Sequence, residues 1–321
     1  MAEQLPDEVL MKIFSYLSTK DILTNIAAVC KTFNRLSKDP YLIKEICLGT
    51  NIRDTNKKDV YKFLYRSSGL TKLIIKGSNR DRYAPIKDCH AEEFVVHAIR
   101  SCSNLLHLEL WDCLVNNQVA RTIVLNQPKL KSFYLYCYRM THRDTGNNGI
   151  ITPMFANKGV KHLVHLRLRF CTELDDQVCK CIALNCPELK SIELTCTGYN
   201  KITKEGLTDM FANGLKQLVK LKLWKTDNRI SDQMLKNIGL NCPDFESLEL
   251  GYCEHITDEG MLFLIAHCNK LKYLNLSRVI LLTDEFLFKI NVYLPELCYL
   301  NLLGHGPVSY THLTLPTTPY V

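Results

Sequence analysis

The side chains best able to do chemistry in this sequence are its fifteen cysteines and ten histidines. Together they could ligate zinc, or a cysteine thiolate could act as a nucleophile beside a histidine. The sequence has no Cys-x-x-Cys motif, and its closest cysteine pair is Cys179-x-Cys181. The histidines are scattered, and no Gly-x-Ser-x-Gly, His-Glu-x-x-His or phosphate-binding glycine motif is present. We therefore expect no catalytic site, no metal site and no other cofactor.

Most of the cysteines recur at fixed positions of an internal repeat, which is typical of a structural role. The repeated pattern is Leu-x-x-Leu-x-Leu with close apolar variants, and its nine copies begin at Leu70, Leu105, Leu130, Leu163, Leu189, Leu218, Phe245, Leu271 and Leu297. One set of cysteines precedes the pattern by three residues: Cys102, Cys186, Cys242 and Cys268. A second set follows it: Cys113, Cys137, Cys171, Cys196 and Cys253. A small, weakly polar residue at a fixed position is typical of a core filler at a turn.

The repeat also predicts the elements that position these residues. Most steps between copies are near 26 residues, as from Phe245 to Leu271, within the range of about 20–29 for units that pair a strand with a helix. Helical stretches follow the strands at 256–268 and 281–294, with Thr257 and Thr283 as candidate N-caps. Stacked units share one continuous core. We predict an α/β fold in which parallel strands form a concave sheet and helices cover the convex side.

Two longer steps between copies contain polar inserts, at 77–88 and 139–149, which we interpret as loops. The phase of the motif in CPELKSIELTC, and in FESLELGYCEHITDEGMLFLIAHC, resembles the cysteine-containing leucine-rich repeat. This resemblance covers roughly residues 70–303. It implies a curved leucine-rich-repeat solenoid, which we assign to residues 70–306.

The N-terminal stretch carries more apolar positions than a surface helix needs. Leu10, Phe14 and Leu17 form one stripe at helical spacing, and Val9, Ile13 and Tyr16 form a neighbouring stripe. A helix that faces only its own core needs one such stripe. From the residues alone, either one stripe packs inward and the other contacts a partner, or both stripes pack on the first repeats.

Residues 5–46 resemble an F-box. The matching features are Leu5-Pro6, the run from Ile13 to Leu17, Asp21-Ile22, Val29-Cys30-Lys31, Leu36 and Asp39-Pro40. The resemblance implies a three-helix module over residues 1–46, joined to the repeats by linking helices over residues 47–69. It also implies binding to a Skp-type adaptor and, through that adaptor, to cullin and RING subunits. The adaptor contacts would come from Leu5, Pro6, Val9, Leu10, Ile13, Phe14, Leu17, Ile22, Val29 and Cys30.

The concave strand face is the predicted substrate surface. Alternation along each strand turns the last two leucines of the motif to the core, and the residues between and after them to the concave side. Both tryptophans of the chain occupy the same position of the repeat on that side, with tyrosines and arginines between them. These residue types are enriched in binding hot spots. The predicted contacts are Trp111, Tyr134, Tyr136, Arg167, Arg169, Lys222 and Trp224. We expect an acidic or phosphorylated protein segment as ligand, the alternative being a solvent-facing sheet with aromatics placed by chance.

Charge and hydropathy limit the other partners. The net charge of +7 is spread along the chain without a Lys/Arg run, so that nucleic acid is not the expected ligand. No segment approaches the roughly 18 uncharged apolar residues of a membrane span. The N-terminus, MAEQLPDE, has no basic region typical of a secretory signal. We expect a cytoplasmic or nuclear location, or both, without membrane attachment.

The C-terminal residues 307–321, PVSYTHLTLPTTPYV, break the repeat pattern. Residues 308–318 resemble the translation of a transposase end joined to a sequencing-library adapter. We therefore expect a non-native tail from about residue 307. A genuine last strand is the alternative, because THLTL is similar to a repeat strand.

Together these features predict the substrate-recognition subunit of an SCF-type (Skp adaptor–cullin–F-box) ubiquitin ligase, which is itself non-catalytic. The alternative is a leucine-rich-repeat scaffold or regulator that acts without ubiquitination.

Overall fold

The computed structural model describes ten stretches of the chain: residues 5–48, 57–77, 89–113, 115–137, 152–156, 159–171, 174–195, 201–224, 229–253 and 255–304. Apart from Gly77, the two polar inserts lie outside these stretches, as do Cys196 and the tail at 307–321. The interpretations given for them stay predictions.

The N-terminal residues fold into three short helices: α1 (Asp7–Phe14), α2 (Thr19–Thr24) and α3 (Lys31–Ser37). The Ser18 hydroxyl caps α2 by accepting the Asp21 N–H at 3.0 Å, and the Cys30 thiol caps α3 by accepting the Phe33 N–H at 3.4 Å. Single 3₁₀ turns follow α2 at Ile26–Ala28 and α3 at Pro40–Leu42. The predicted three-helix module is confirmed.

The module has a small core of its own, separate from the core of the repeats. It is formed by Leu10, Phe14, Ile22, Phe33, Leu36 and Leu42. At its centre the Phe14 and Phe33 rings meet edge to face, with their centroids 5.0 Å apart, an arrangement that aromatic pairs favour.

Ten parallel strands in the described stretches form one sheet, and each strand pairs with the next along the chain. The strands are β1 (Glu45–Leu48), β2 (Lys72–Lys76), β3 (His107–Trp111), β4 (Ser132–Tyr136), β5 (His165–Arg169), β6 (Ser191–Thr195), β7 (Lys220–Trp224), β8 (Ser247–Gly251), β9 (Tyr273–Asn275) and β10 (Tyr299–Asn301). All nine predicted repeat strands are present as β2–β10. The sheet begins one strand earlier than predicted, because β1 follows the three-helix module and pairs with β2.

Helices cover the opposite side of this sheet. They are α4 (Lys57–Arg66), α5 (Cys89–Arg100), α6 (Asn117–Asn126), α7 (Thr152–Phe155), α8 (Asp176–Asn185), α9 (Lys204–Asn213), α10 (Asp232–Asn241), α11 (Asp258–His267) and α12 (Asp284–Tyr293). The predicted helices at 256–268 and 281–294 correspond to α11 and α12. None of the described helices is long and apolar enough to cross a membrane.

The cysteines that precede the strands are core residues, as predicted. Cys102, Cys186, Cys242 and Cys268 are buried, and burial raises the pKa of each of these thiols to about 12. Of the cysteines that follow the strands, the four in the described stretches, Cys113, Cys137, Cys171 and Cys253, are buried as well, and a residue in the left-handed region precedes several of them. Asp112 has φ 50°, Phe170 φ 60° and Tyr252 φ 61°. The sequence does not signal this conformation, since none of the three is glycine.

The helix N-termini are linked from repeat to repeat by Asp–Thr pairs. Thr257 precedes α11 as predicted, but its hydroxyl donates to Asp232 of α10 at 2.6 Å and makes no capping bond. Thr283 does cap α12, by accepting the Glu285 N–H at 3.2 Å, and it also donates to Asp258 of α11. Thr257 therefore occupies the predicted N-cap position, but its hydroxyl does not make the predicted capping bond.

Candidate functional site

The first candidate surface is the outer face of α1. Leu10 and Phe14 are each 2% exposed, whereas Val9 is 42%, Ile13 46% and Tyr16 76% exposed. The second apolar stripe therefore does not pack on the repeats and faces solvent. A solvent-facing apolar stripe on a folded module is typical of a protein interaction site.

The structure divides the predicted adaptor contacts into three groups. Leu5, Pro6, Val9, Ile13 and Val29 are exposed. Leu17 and Cys30 are half-buried against the core of the module. Three predictions need correction, because Leu10, Phe14 and Ile22 fill that core and cannot reach a partner in this conformation. Exposed Tyr16 and Leu23 extend the apolar surface, and the helical period of α1 already placed Tyr16 on the outer stripe.

The three-helix module leads directly into β1, whereas linking helices were expected over residues 47–69, where the described residues contain the end of β1 and helix α4. The Lys44 carbonyl accepts hydrogen bonds from the Thr71 and Lys72 N–H groups, at 3.0 and 2.9 Å, where β2 begins. On the other side of Lys44, the Thr19 hydroxyl accepts its N–H at 3.2 Å. Gly69 lies so close to Tyr41 that an added Cβ would be 2.0 Å from the Tyr41 carbonyl oxygen. These bonds fix the first strands of the sheet relative to the F-box.

The second candidate surface is the concave side of the sheet. Strand residues alternate between the core and this side, as predicted, and strand pairing aligns the concave residues in three rows. The third row contains the last residues of the central strands: Trp111, Tyr136, Arg169, Thr195 and Trp224. Both tryptophans thus share one row, as predicted. They lie four strands apart, or about 19 Å at the usual strand spacing.

Trp111 is part of a stack at one end of that row. Its ring lies 3.8 Å from the Tyr136 ring with an interplanar angle of 12°. Lys76 covers the stack at 5.7 Å from the Trp111 ring, and Arg169 lies 5.4 Å from the Tyr136 ring. These cation–π contacts hold the flat aromatic surface in place.

The two central arginines differ from the prediction in one respect. Arg167 and Arg169 both pair with the buried carboxylate of Glu193. Arg167 also donates to the Tyr136 hydroxyl at 2.8 Å and lies over the Tyr134 ring at 4.5 Å. The prediction assumed two guanidinium groups free to bind a ligand. Instead, both arginines belong to a cross-strand cluster in which Glu193 compensates one of their two positive charges.

Trp224 belongs to a second cluster. Its indole N–H donates to Glu249 at 2.7 Å, and the same carboxylate pairs with Lys222 at 2.8 Å. Tyr252 extends the cluster beyond the strand, with its ring 6.4 Å from Trp224 and Arg278 above it at 5.0 Å. The sequence did not identify Tyr252 and Arg278, because they lie after their strands and reach this face through left-handed backbone conformations.

The seven predicted substrate contacts thus form two groups on one face. Trp111, Tyr134, Tyr136, Arg167 and Arg169 are connected, and Lys222 and Trp224 lie in the second group. The prediction for Tyr136 needs correction, because its side chain is buried against Trp111 and is not open to a partner in this conformation. Within the described stretches, no group of three or more His, Cys, Asp or Glu side chains is arranged to hold a metal ion.

Comparison with known proteins finds one family match and several relatives. Residues 2–49 match the F-box-like family. Putative F-box/LRR-repeat protein 23 of Arabidopsis thaliana is 24% identical over 264 residues, or 81% of this chain and 49% of the relative. The chain thus spans about half the length of that protein. Putative F-box/LRR-repeat protein 9 of the same plant is 23% identical over 258 residues, or 80% of this chain and 89% of the relative.

The fold has a counterpart among solved structures. A chain of the crystal structure of the Rad7 and Elc1 complex in yeast matches with a TM-score of 0.57 and 16% identity, covering 97% of this chain and 91% of that one. In its N-terminal match, in the repeats of its sheet and in the names of these two relatives, the chain is similar to F-box/leucine-rich-repeat proteins.

Proposed function

We propose that the chain is the substrate-recognition subunit of an SCF-type ubiquitin ligase. Its F-box binds a Skp-type adaptor, which brings the cullin and RING subunits, and its concave face holds the substrate protein. The names of its relatives support a role as an F-box substrate receptor. The chain itself contributes no chemical step in this proposal. It acts by holding the substrate near the conjugating enzyme.

The observation that carries the proposal is the exposed stripe of Val9, Ile13 and Tyr16 on a module whose core is already closed. Burying one aliphatic side chain of this size contributes roughly 1.5–3 kcal/mol. A partner that covers the stripe would therefore bind stably. The hydrogen bonds at Lys44 then set a fixed distance between that partner and the concave face.

The test is binding of the full chain to a purified Skp-type adaptor by calorimetry. We expect the wild type to bind and a variant with Val9→Asp and Ile13→Asp to bind on the order of 100-fold more weakly, since it loses two apolar contacts. A variant with Lys20→Asp and Lys38→Asp is the control, because it places acids at exposed polar positions of the same module. Circular dichroism should show all three proteins folded.

A folded wild type that does not bind the adaptor would overturn the proposal. Equal binding by the Val9→Asp/Ile13→Asp variant would show that the stripe is not the contact. The chain would then be studied as a scaffold.

A further inference from the structure

From β2 to β10 the first row of the concave face consists of hydrogen-bond donors, whereas on β1 the row begins with Glu45, which pairs with Lys72. It contains the first residue of each strand from β2 to β10: Lys72, His107, Ser132, His165, Ser191, Lys220, Ser247, Tyr273 and Tyr299. None of these residues is a carboxylate. We call its central part, from β4 to β8, the donor row: Ser132, His165, Ser191, Lys220 and Ser247.

The carboxylates on β3, β6 and β8 of the same face already interact with donor side chains of that face. Glu109 accepts from His107 at 2.7 Å and from the Trp111 indole at 3.0 Å. Those hydrogen bonds outweigh desolvation, so that the pKa of Glu109 is lowered and the group stays ionised. Each of the other two carboxylates also has two donors: Arg167 and Arg169 for Glu193, and Lys222 and Trp224 for Glu249. A basic ligand would have to break these pairs.

The side chains of the donor row remain available, whereas Lys72 and His107 of the first row pair with Glu45 and Glu109. Lys220 is exposed and, within the described residues, forms no ion pair, and the same holds for Lys190 directly before β6. The hydroxyls of Ser132, Ser191 and Ser247 make no hydrogen bond to described parts of the chain. The carboxylates that precede β6 and β8 do not compensate these lysines, because Glu188 pairs with His162 and Glu246 with Lys272.

His165 lies in the middle of the donor row, close to several cationic side chains. Partial desolvation lowers the pKa of its imidazole, and the positive charges of Lys220, His107, Lys190 and Arg167 lower it further. The ring is therefore neutral at pH 7 and offers one N–H. The charges around it are the ones that an anionic ligand would meet.

The spacing of these groups distinguishes between anions. Adjacent strands are about 4.8 Å apart, so that His165 and Lys220 are separated by about 10 Å. A single phosphate group needs donors that converge on one point. Donors spread along a row match several carboxylates on an extended chain.

We propose that the donor row, together with Lys190, binds an acidic segment of a partner protein, with Asp and Glu carboxylates accepting its hydrogen bonds. This inference rests on the proposed role of the concave face as the substrate surface. It shifts the anion contact from Arg167 and Arg169, whose charge is partly compensated by Glu193, to the edge of the sheet where the strands begin.

The test uses a fluorescein-labelled oligoglutamate peptide and the full chain, with fluorescence anisotropy as the readout. We expect saturable binding that weakens about tenfold in a variant with Lys190→Ala and Lys220→Ala, since each exposed charge contact contributes roughly threefold to the affinity. The matched control carries Lys180→Ala and Lys289→Ala, exposed positions on α8 and α12 with the same change in net charge. It should change the affinity less than twofold.

The proposal would be overturned if the wild type did not bind oligoglutamate, if the control variant lost as much affinity as the test variant, or if an oligolysine peptide bound equally well. Much tighter binding of a peptide whose one anionic residue is phosphoserine would also overturn it, because that outcome shows convergent donors. Adaptor binding is measured on the same preparations. If adaptor binding is retained while oligoglutamate fails to bind, the proposal of an acidic ligand is wrong and the proposed function stands.

Discussion

Arg169 on β5 donates to the carboxylate of Glu193 on β6, whose side chain is only 8% exposed. Arg167 contacts the same carboxylate from the same strand. Two guanidinium groups therefore share one buried anion at the centre of the concave face. This arrangement fixes both side chains before any ligand binds, which reduces the entropy lost on binding.

Removing the shared carboxylate should destabilise the sheet. We expect Glu193→Gln to lower the free energy of unfolding by about 1–3 kcal/mol, because two partly buried cations lose their counter-charge. The measurement is urea denaturation followed by circular dichroism. Glu188→Gln is the control, since the Glu188–His162 pair is nearly half exposed, and its effect should stay below about 0.5 kcal/mol. Equal effects of the two variants would contradict a special role for Glu193.

The core of the F-box should be more sensitive than its outer stripe. Phe14→Ala removes the ring that packs on Phe33, and we expect a loss of about 3–5 kcal/mol. Tyr16→Ala, at a position 76% exposed, should change stability by less than about 0.5 kcal/mol. Because the F-box core is separate from the core of the repeats, hydrogen exchange in Phe14→Ala should rise in α1–α3 and remain slow in β4–β8. Uniform acceleration along the whole chain would contradict two separate cores.

Local sequence patterns predicted the repeats well, since each strand and its cysteines recur at a fixed phase. Alternation along a strand was enough to place Trp111 and Trp224 on one face. The same patterns could not show that Glu193 would bind both arginines, because that depends on side-chain orientations across two strands more than twenty residues apart.

For a similar reason, the sequence could not show which stripe of α1 is buried and which is exposed. Helical spacing separates Leu10 and Phe14 from Val9 and Ile13, but it does not say which stripe faces inward. That choice is made by packing against α3, where Phe33 meets Phe14.

A glycine in α11 should resist replacement by the best helix former. Gly260 packs against Asp232 of α10, and an added Cβ would lie 2.3 Å from the Asp232 Oδ1 atom and 2.7 Å from its Cα. Gly→Ala in a helix normally stabilises by about 1 kcal/mol. Here we expect Gly260→Ala to destabilise by about 1–3 kcal/mol, because Asp232 must move away from Thr257, to which it is hydrogen-bonded.

The control for this prediction is Gly239→Ala in α10. Its nearest neighbour would be 3.4 Å from the new Cβ, an ordinary contact, so that the variant should be neutral or stabilised by up to about 1 kcal/mol. Thermal and urea unfolding of the two variants measure the difference. A shift in the same direction for both would show that the Asp–Thr link is not a packing constraint.

The cysteines should differ sharply in reactivity according to their place in the repeat. Cys47 and Cys298 are exposed, whereas the thiols of Cys186 and Cys242 are buried and their pKa is raised to about 12 by that burial. The thiolate is the reactive form, and at neutral pH it is almost absent from the buried pair. We therefore expect iodoacetamide to modify Cys47 and Cys298 in the native protein and to leave Cys186 and Cys242 unmodified, as read by peptide mass spectrometry. In urea all four should react, which controls for detection, and modification of Cys186 at the native rate of Cys298 would mean that the repeat opens at that position.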